Sequence, residues 1–538
     1  MRRFLTGAAL LLAALSCSRP AGTHEGEEPS GGTALPKALV VSVRVDGTAV
    51  PAGGKLGGVS LVPVLSVEFT RAVEADEASL KSVSFTGGSL TVAVNPDDAT
   101  VLDFRPAAAL EPLTTYRFSL AEGEGFGVTL KKGCAFSFVT GMDDSADQFP
   151  RIPDEELLTL VQRQTFSYFW DYAHPVSGLA RERFGSDDTV TSGGSGFGIL
   201  CLPVGVERGF VTREEAAERL RTIVAFLSSA QTFHGAFPHW LNGRTGKVIP
   251  FSANDNGGDL VETAFLMQGL LTAARYFDRD SEADIRSGID ALWRAVEWDW
   301  YTRDGQQQLY WHWSPSAEWA MNMPVRGWNE GLIVYVLAAS SPTHPVEAGV
   351  YHHGWASDGG MKLTQNGPLF FAHYSFLGLD PRKLKDRYGD YWAQNVAHAR
   401  YNYDYCVRNP QHHGGYSASS WGLTASDYPG GYTASSPSSD HGTIAPTAAL
   451  ASFPYTPEES LRALHYFYYK LGGRLWGKYG FRDAFCLDSA WFASSYIAID
   501  QGPIVVMLEN YRTGLLWELF MQDPDVRRGL AALGFEWE

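Results

Sequence analysis

The sequence predicts a multidomain protein in which an all-β sandwich precedes an all-α toroid, and three observations predict it. At 538 residues the chain exceeds one ordinary domain and can bury a large core. Near residue 150 the apolar pattern changes from period two, the signature of half-buried strands, to period 3.6, the signature of helices. Composition changes at the same place: all 16 tryptophans follow residue 150, and of 24 tyrosines only Tyr116 precedes it.

Residues 1–17 read as a lipoprotein-type signal peptide. Met1-Arg2-Arg3 is a basic start, and the apolar run Phe4 to Leu15 is too short to span a bilayer. The run ends at Ser16-Cys17, with Cys17 the expected lipidation site. Residues 18–37, polar and Gly-rich, form a flexible tether. Seven short alternating strands follow, at Val40–Val45, Leu61–Phe69, Ser82–Phe85, Leu90–Val94, Val101–Phe104, Thr115–Leu120 and Ala135–Val139, giving a sandwich over residues 38–141. Residues 142–153, acidic and ending in prolines, form the linker.

From residue 154 to 538, helices are expected to begin near Asp154, Thr212, Asp259, Ser281, Gly327, Pro368, Tyr388, Thr443, Thr456, Ser489, Gln501 and Pro524. Thr212-x-x-Glu215 and Ser281-x-x-Asp284 are capping patterns, and Thr456 precedes a first-turn Pro457. No apolar strands recur between the helices, which excludes a doubly wound α/β domain. Long aromatic- and Gly-rich loops between helical hairpins suit a toroid with a cleft at one end. Gly193-Gly194-Ser195-Gly196-Phe197-Gly198 lacks both a βαβ setting and a P-loop lysine, and reads as close-packed backbone lining that cleft.

A net charge of −17 excludes nucleic acid and anionic membrane as principal partners. Cys134, Cys201, Cys406 and Cys486 have no metal-ligand spacing and read as buried thiols. The pairs His352-His353 and His412-His413 lack HExxH spacing, so neither a metal nor another cofactor is expected.

Three junctions place carboxylates at helix entrances: Asp255-x-x-x-Asp259-x-x-Glu262, Trp328-Asn329-Glu330-Gly331, and Ile499-Asp500-Gln501-Gly502. Glycoside hydrolysis usually takes two carboxyls, ~5 Å apart for retention or ~6.5 to 9.5 Å apart for inversion. Asp259 and Glu262, at i and i+3, have β-carbons only ~5 to 6 Å apart on one wall. They suit holding sugar hydroxyls, with helix capping as the competing role. Glu330 and Asp500, on separate segments, can face each other as acid and base. Trp311, Trp313, Trp328, Trp421 and Tyr432 offer flat apolar faces for sugar stacking, and Asp440 is a reserve acid.

Leu110-Glu111-Pro112-Leu113-Thr114-Thr115-Tyr116 and Phe136-Ser137-Phe138-Val139-Thr140 resemble bacterial Ig-like modules. The helical part resembles the bacterial glucoamylase-like proteins recognised as β-1,2-glucan hydrolases, glycoside hydrolase family 144. The stretches that carry this are Gln164-Thr165-Phe166-x-Tyr168-Phe169-Trp170-Asp171, Gly178-Leu179-Ala180-Arg181-Glu182-Arg183, the three acidic junctions above, and Gly442-Thr443-Ile444-Ala445-Pro446-Thr447-Ala448-Ala449. The resemblance implies an (α/α)6 toroid, inversion without a metal, and action on linear or cyclic β-1,2-glucans. It also implies functional roles for Asp255, Asp259, Glu262, Glu330 and Asp500, with Arg181 on the substrate side.

The expected protein is an exported periplasmic or cell-surface hydrolase of β-1,2-glucan, endo-acting or sophorose-releasing, that touches membrane only through a lipid anchor. An exo-acting α-glucosidase or glucoamylase and a non-catalytic glycan-binding lipoprotein are the alternatives. A polysaccharide lyase would want basic uronate-binding residues where this chain has acids.

Overall fold

A computed structural model describes residues 34–50, 55–355 and 363–538. The signal segment, Cys17 and most of the tether lie outside the described residues.

The N-terminal part is built on β1 (Val40–Val45), β2 (Lys55–Val59), β3 (Leu65–Phe69), β4 (Val83–Phe85), β5 (Leu90–Val94), β6 (Val101–Pro106), β7 (Thr115–Leu120) and β8 (Cys134–Thr140). One sheet runs Thr48–Ala49, β1, β3, β6, β5, with antiparallel pairs, and a second runs β2-β8-β7-β4 with β2 parallel to β8. Leu65, Val67 and Phe69 alternate inward on β3, as a half-buried strand requires. Phe104 of one sheet meets Phe118 of the other at 5.2 Å between ring centroids, so the two sheets share one core. The expected strands are present. The sequence reading missed β2 and a small sheet of Lys37–Ala38, Gly123–Gly125 and Val128–Leu130, because Lys55–Val59 holds two glycines and the others are only two or three residues long.

The helical part contains α1 (Asp154–Trp170), α2 (Ser192–Glu207), α3 (Arg213–Leu227), α4 (Leu260–Tyr276), α5 (Ala283–Ala295), α6 (Leu332–Ser340), α7 (Ala348–Gly354), α8 (Tyr391–Arg408), α9 (Pro446–Leu450), α10 (Pro457–His465), α11 (Ala498–Arg512), α12 (Leu515–Met521) and α13 (Pro524–Leu533). Helices α2, α4, α6 and α11 are buried on nearly every face, the mark of central helices. Helices α3, α5 and α13 bury a single stripe and pack outside them, α3 on α2, α5 on α4 and α13 on α6.

The largest correction is α2. The Gly193–Gly198 run is its first turns, not loop backbone. Glycine disfavours helix by ~1 kcal/mol per residue, but here a Cβ on Gly196 would collide with the Phe265 backbone of α4, and one on Gly269 of α4 with the Gly196 backbone. Close packing of α2 on α4 therefore overrides propensity. Pro368 opens only short 3₁₀ turns, Ser489 ends one and starts no α-helix, and the helices expected near Gly327, Tyr388 and Gln501 begin at Leu332, Tyr391 and Ala498. Of the three predicted caps only Thr212/Glu215 forms a box. The Thr456 hydroxyl instead donates to the Ser452 carbonyl, and α5 begins without a side-chain cap.

Candidate active site

The entrances of α2, α4, α6 and α11 converge on a cavity of about 390 Å³, lined among others by Thr191, His239, Phe251, Glu262, Trp311, Glu330, Tyr374, Tyr432 and Ile499. Helix N-termini carry partial positive charge, so four such ends form a natural seat for acids. Phe251 stacks on His239 at 4.3 Å and meets Trp240 edge-on at 4.8 Å, giving an aromatic side wall.

Asp259 is the N-cap of α4. Its Oδ1 accepts the Val261 and Glu262 backbone N–H groups at 3.0 and 2.9 Å, and its Oδ2 meets His239 Nδ1 and Trp311 Nε1, each at 3.1 Å. Burial alone would lower the His239 pKa, but the charges of Glu262, Asp259 and Asp255 outweigh it and raise it to about 9. The imidazole is therefore a cation at neutral pH. The capping box is only half made, because Glu262 turns away: its Oε2 accepts from Gly193 N at 2.7 Å and lies 3.3 Å from the Thr191 hydroxyl. Burial raises the Glu262 pKa despite these donors and His239.

Asp255 lies just behind, buried, with no partner on Oδ1. Burial first, then the charge of Asp259, pushes its pKa to about 6. His312 Nε2 sits 3.6 Å away, but that nitrogen accepts the Asn256 and Gly257 N–H groups and burial lowers the ring's pKa. The ring is neutral, and the contact is not an ion pair. His239, Asp255 and Asp259 could in principle ligate a cation. However, both Asp259 oxygens already hold two N–H donors each and His239 is protonated, so the group is built as an ion pair.

Glu330 enters the cavity from the residue before Gly331, the N-cap of α6. Burial pushes its pKa to about 7, with small additions from Asp259 and Glu262. A carboxyl poised there can deliver a proton at neutral pH. Asp500, in the first turn of α11, is 2% exposed and sits behind the wall that Ile497 and Ile499 contribute.

The sequence model of a family described as "Glycoamylase: Putative glucoamylase" matches residues 322–524. An endo-β-1,2-glucanase from Chitinophaga pinensis, solved as a complex with sophorotriose and glucose, is 51% identical and superposes with a TM-score of 0.70 over 72% of this chain and 99% of its own. The chain belongs to the glucoamylase-like family, glycoside hydrolase family 144. An exo-β-1,2-glucooligosaccharide sophorohydrolase (non-reducing end) of Parabacteroides distasonis is 47% identical over 423 residues, 72% of this chain. The chain spans 58% of that relative's length. A β-1,2-glucanase structure from the same species is 36% identical with a TM-score of 0.70, over 93% of this chain and 73% of that one.

In this glucoamylase-like protein, Glu262, Glu330, Trp311 and Tyr432 line the cavity, with Asp255, Asp259 and Asp500 directly behind it. Tyr432, 46% exposed, stands at the mouth on the hairpin Ala425–Tyr428/Gly431–Ala434.

Other predicted contacts lie elsewhere. Trp328 is buried against Phe376 and Tyr391 and donates to His398. Trp421 is fully buried and donates to the Glu459 carbonyl. Trp313 packs edge-on to Trp300 and His234. Arg181 braces its own loop, donating to the Asp187 and Tyr172 carbonyls with its guanidinium over the Tyr172 ring. Asp440 accepts from Tyr405, Tyr416 and Gly442 N and faces His413. These five have structural partners outside the cavity.

Sequence reasoning missed His239, Tyr374, Arg183 as a charge anchor, and Asp483. His239 stands between Pro238 and Trp240 near the acidic junction, a hint that was readable. Asp483 sits in a turn with no periodic signal.

Proposed function

We propose that the protein is a glycoside hydrolase that cleaves β-1,2-glucan by inversion, with Glu330 as general acid and Asp500 on the base side. The observation that carries this is Glu330, a carboxyl held near neutrality by burial in a cavity whose facing walls bear further acids and aromatic rings. The relatives named for β-1,2-glucan hydrolysis support the substrate class. Glu262 and the His239 cation, on the cavity wall, hold sugar hydroxyls, while Trp311 and Tyr432 supply faces for the rings. Asp255 and Asp259, which do not line the cavity, set local charge from behind it rather than touching the sugar as the sequence reading expected. Protonation of the glycosidic oxygen by Glu330 accompanies attack of a water on the opposite face of the anomeric carbon, with its proton passing to the Asp500 side.

The same reading extends to the whole chain. The central and outer helices form an (α/α)6 toroid over residues 154–538. The sandwich at 38–141 is Ig-like, a reading supported by the Tyr116 hydroxyl accepting the Glu111 backbone N–H at 3.0 Å, as in a tyrosine corner. Residues 1–17 direct export and lipidation at Cys17, placing the enzyme in the periplasm or at the cell surface.

The test is to incubate the protein with glucans of defined linkage and chromatograph the products. Release from β-1,2-glucan and none from starch is expected, with an α-anomeric first product by NMR. Sugar released only from starch overturns the substrate, and a β-anomeric first product overturns inversion. Early disaccharide alone marks exo action, and a ladder marks endo action.

A further inference from the structure

The α11 entrance contains a carboxyl pair that neither the motifs nor the family assignment accounts for. Asp483, as buried as Asp500 at 2% exposure, accepts the Asp427 backbone N–H on Oδ2 at 2.7 Å, but its Oδ1 and both Asp500 oxygens have no donor from any other group among the described residues. The segments that carry them are tied together, the Asp483 N–H donating to the Ser495 carbonyl at 3.1 Å and Gln501 Nε2 to the Phe481 carbonyl at 3.0 Å, which sets the Asp500 carboxyl beside that of Asp483. Two ionised carboxylates can only accept, so that contact requires a proton between them. The cation beside them, Arg183, is committed elsewhere, to Glu182 at 2.9 Å and to Asp427 at 3.0 Å. Asp427 takes the Ser495 hydroxyl on its other oxygen. On the cavity side the wall is lined by Tyr374, Tyr432, Ile497 and Ile499.

We propose that Asp483 is a positioning residue for Asp500: the two carboxyls share one proton and together present a single negative charge behind the cavity wall. This rests on the reading of Asp500 as the base-side residue. The arrangement follows from like charges held close in a dry site, where both cannot ionise. Burial and mutual repulsion raise both groups above the ordinary carboxylate range, and they titrate as one unit. The proton count closes in the hydrolytic step. The pair begins with one proton and one negative charge. It gains the proton of the attacking water as that oxygen bonds to the anomeric carbon, and it ends neutral. The leaving oxygen takes its proton from Glu330 as the glycosidic bond breaks. Return of one proton to solvent resets the pair.

The test uses the full chain with Asp483→Asn and Asp500→Asn, folding being checked by circular dichroism. Infrared spectra of protein carrying ¹³C-labelled aspartate at pH 8, above the value of about 6 for Asp255, should show a protonated aspartate band in the wild type that both variants lose. This readout needs no substrate, so it decides on the pair even if β-1,2-glucan proves not to be cleaved. The second readout is the acidic limb of kcat/KM against pH on β-1,2-glucan. The acidic limb reports protonation of the singly charged pair, and Asp483→Asn replaces the acid that donates to the Asp500 carboxylate with a weaker amide N–H donor, so the limb should move up by about one pH unit, with a lower kcat. A merely structural role for Asp483 would scale the rate without moving the limb. A band that survives in Asp483→Asn, or a limb that stays in place, overturns the proposal. Should Asp483→Asn fail to fold, loss or survival of the band in Asp500→Asn decides it.

Discussion

The entrance of α4 and the entrances of α6 and α11 carry the same kind of side chain under opposite conditions. At α4 the cap itself is the acid: Asp259 receives two backbone N–H groups, an indole N–H and the His239 cation. At α6 and α11 the caps are Gly331 and Ile497, neither with a side-chain capping bond. Glu330 and Asp500 therefore face burial without comparable donors, and burial drives both pKa values up. The difference separates work from support. A satisfied carboxylate fixes geometry and charge, whereas a starved one is close to its neutral form and able to exchange a proton.

The contrast is broken most severely at Glu330. Glu330→Gln should lower kcat by roughly 10²- to 10⁴-fold with an unchanged far-ultraviolet spectrum, measured as product release from β-1,2-glucan. Next is Asp259→Ala, which strips the buried N-cap bonds of α4 and leaves the half-buried His239 cation without its hydrogen-bonded partner, and which should cost about 2–4 kcal/mol in denaturant unfolding. Asp500→Asn at pH 8 should cost nothing measurable, since it removes charge from a donor-poor site. Equal destabilisation by the two would erase the distinction between the entrances.

Glu330 also links stability to pH. Its folded pKa, about 7, lies above the unfolded ~4.3, so the folded state binds its proton more tightly. That contribution is complete below the unfolded value and is lost as pH rises through about 7. At ~1.4 kcal/mol per unit the loss is on the order of 3 to 4 kcal/mol, and Glu330→Gln should flatten the fall in melting temperature over that window. The smallest effect separates cavity from core aromatics. Trp311→Phe, which forfeits a hydrogen bond to Asp259 worth ~1 kcal/mol, should raise KM several-fold, whereas Trp421→Phe should lower the melting temperature and leave KM unchanged.

The junction acids were readable because each stands where a polar, Gly-containing stretch meets an apolar helix. Helix α2 was not, since four glycines in its first turns mimic a loop and only contact with the α4 backbone makes them necessary. Trp328 and Trp421 misled for a related reason: aromatics in loops suggest a cleft, but these loops fold back into the core. Asp483 carries no local pattern, and its meaning appears only when α11 brings Asp500 against it.

The most direct measurement of the central claim is kcat/KM for β-1,2-glucan as a function of pH in the wild-type protein. The protonated-acid role of Glu330 predicts a rate that falls as pH rises through about 7, with that limb absent from any residual activity of Glu330→Gln. A rate that stays flat to about pH 9, two units above that value, or an alkaline limb that persists unchanged in Glu330→Gln, would contradict it.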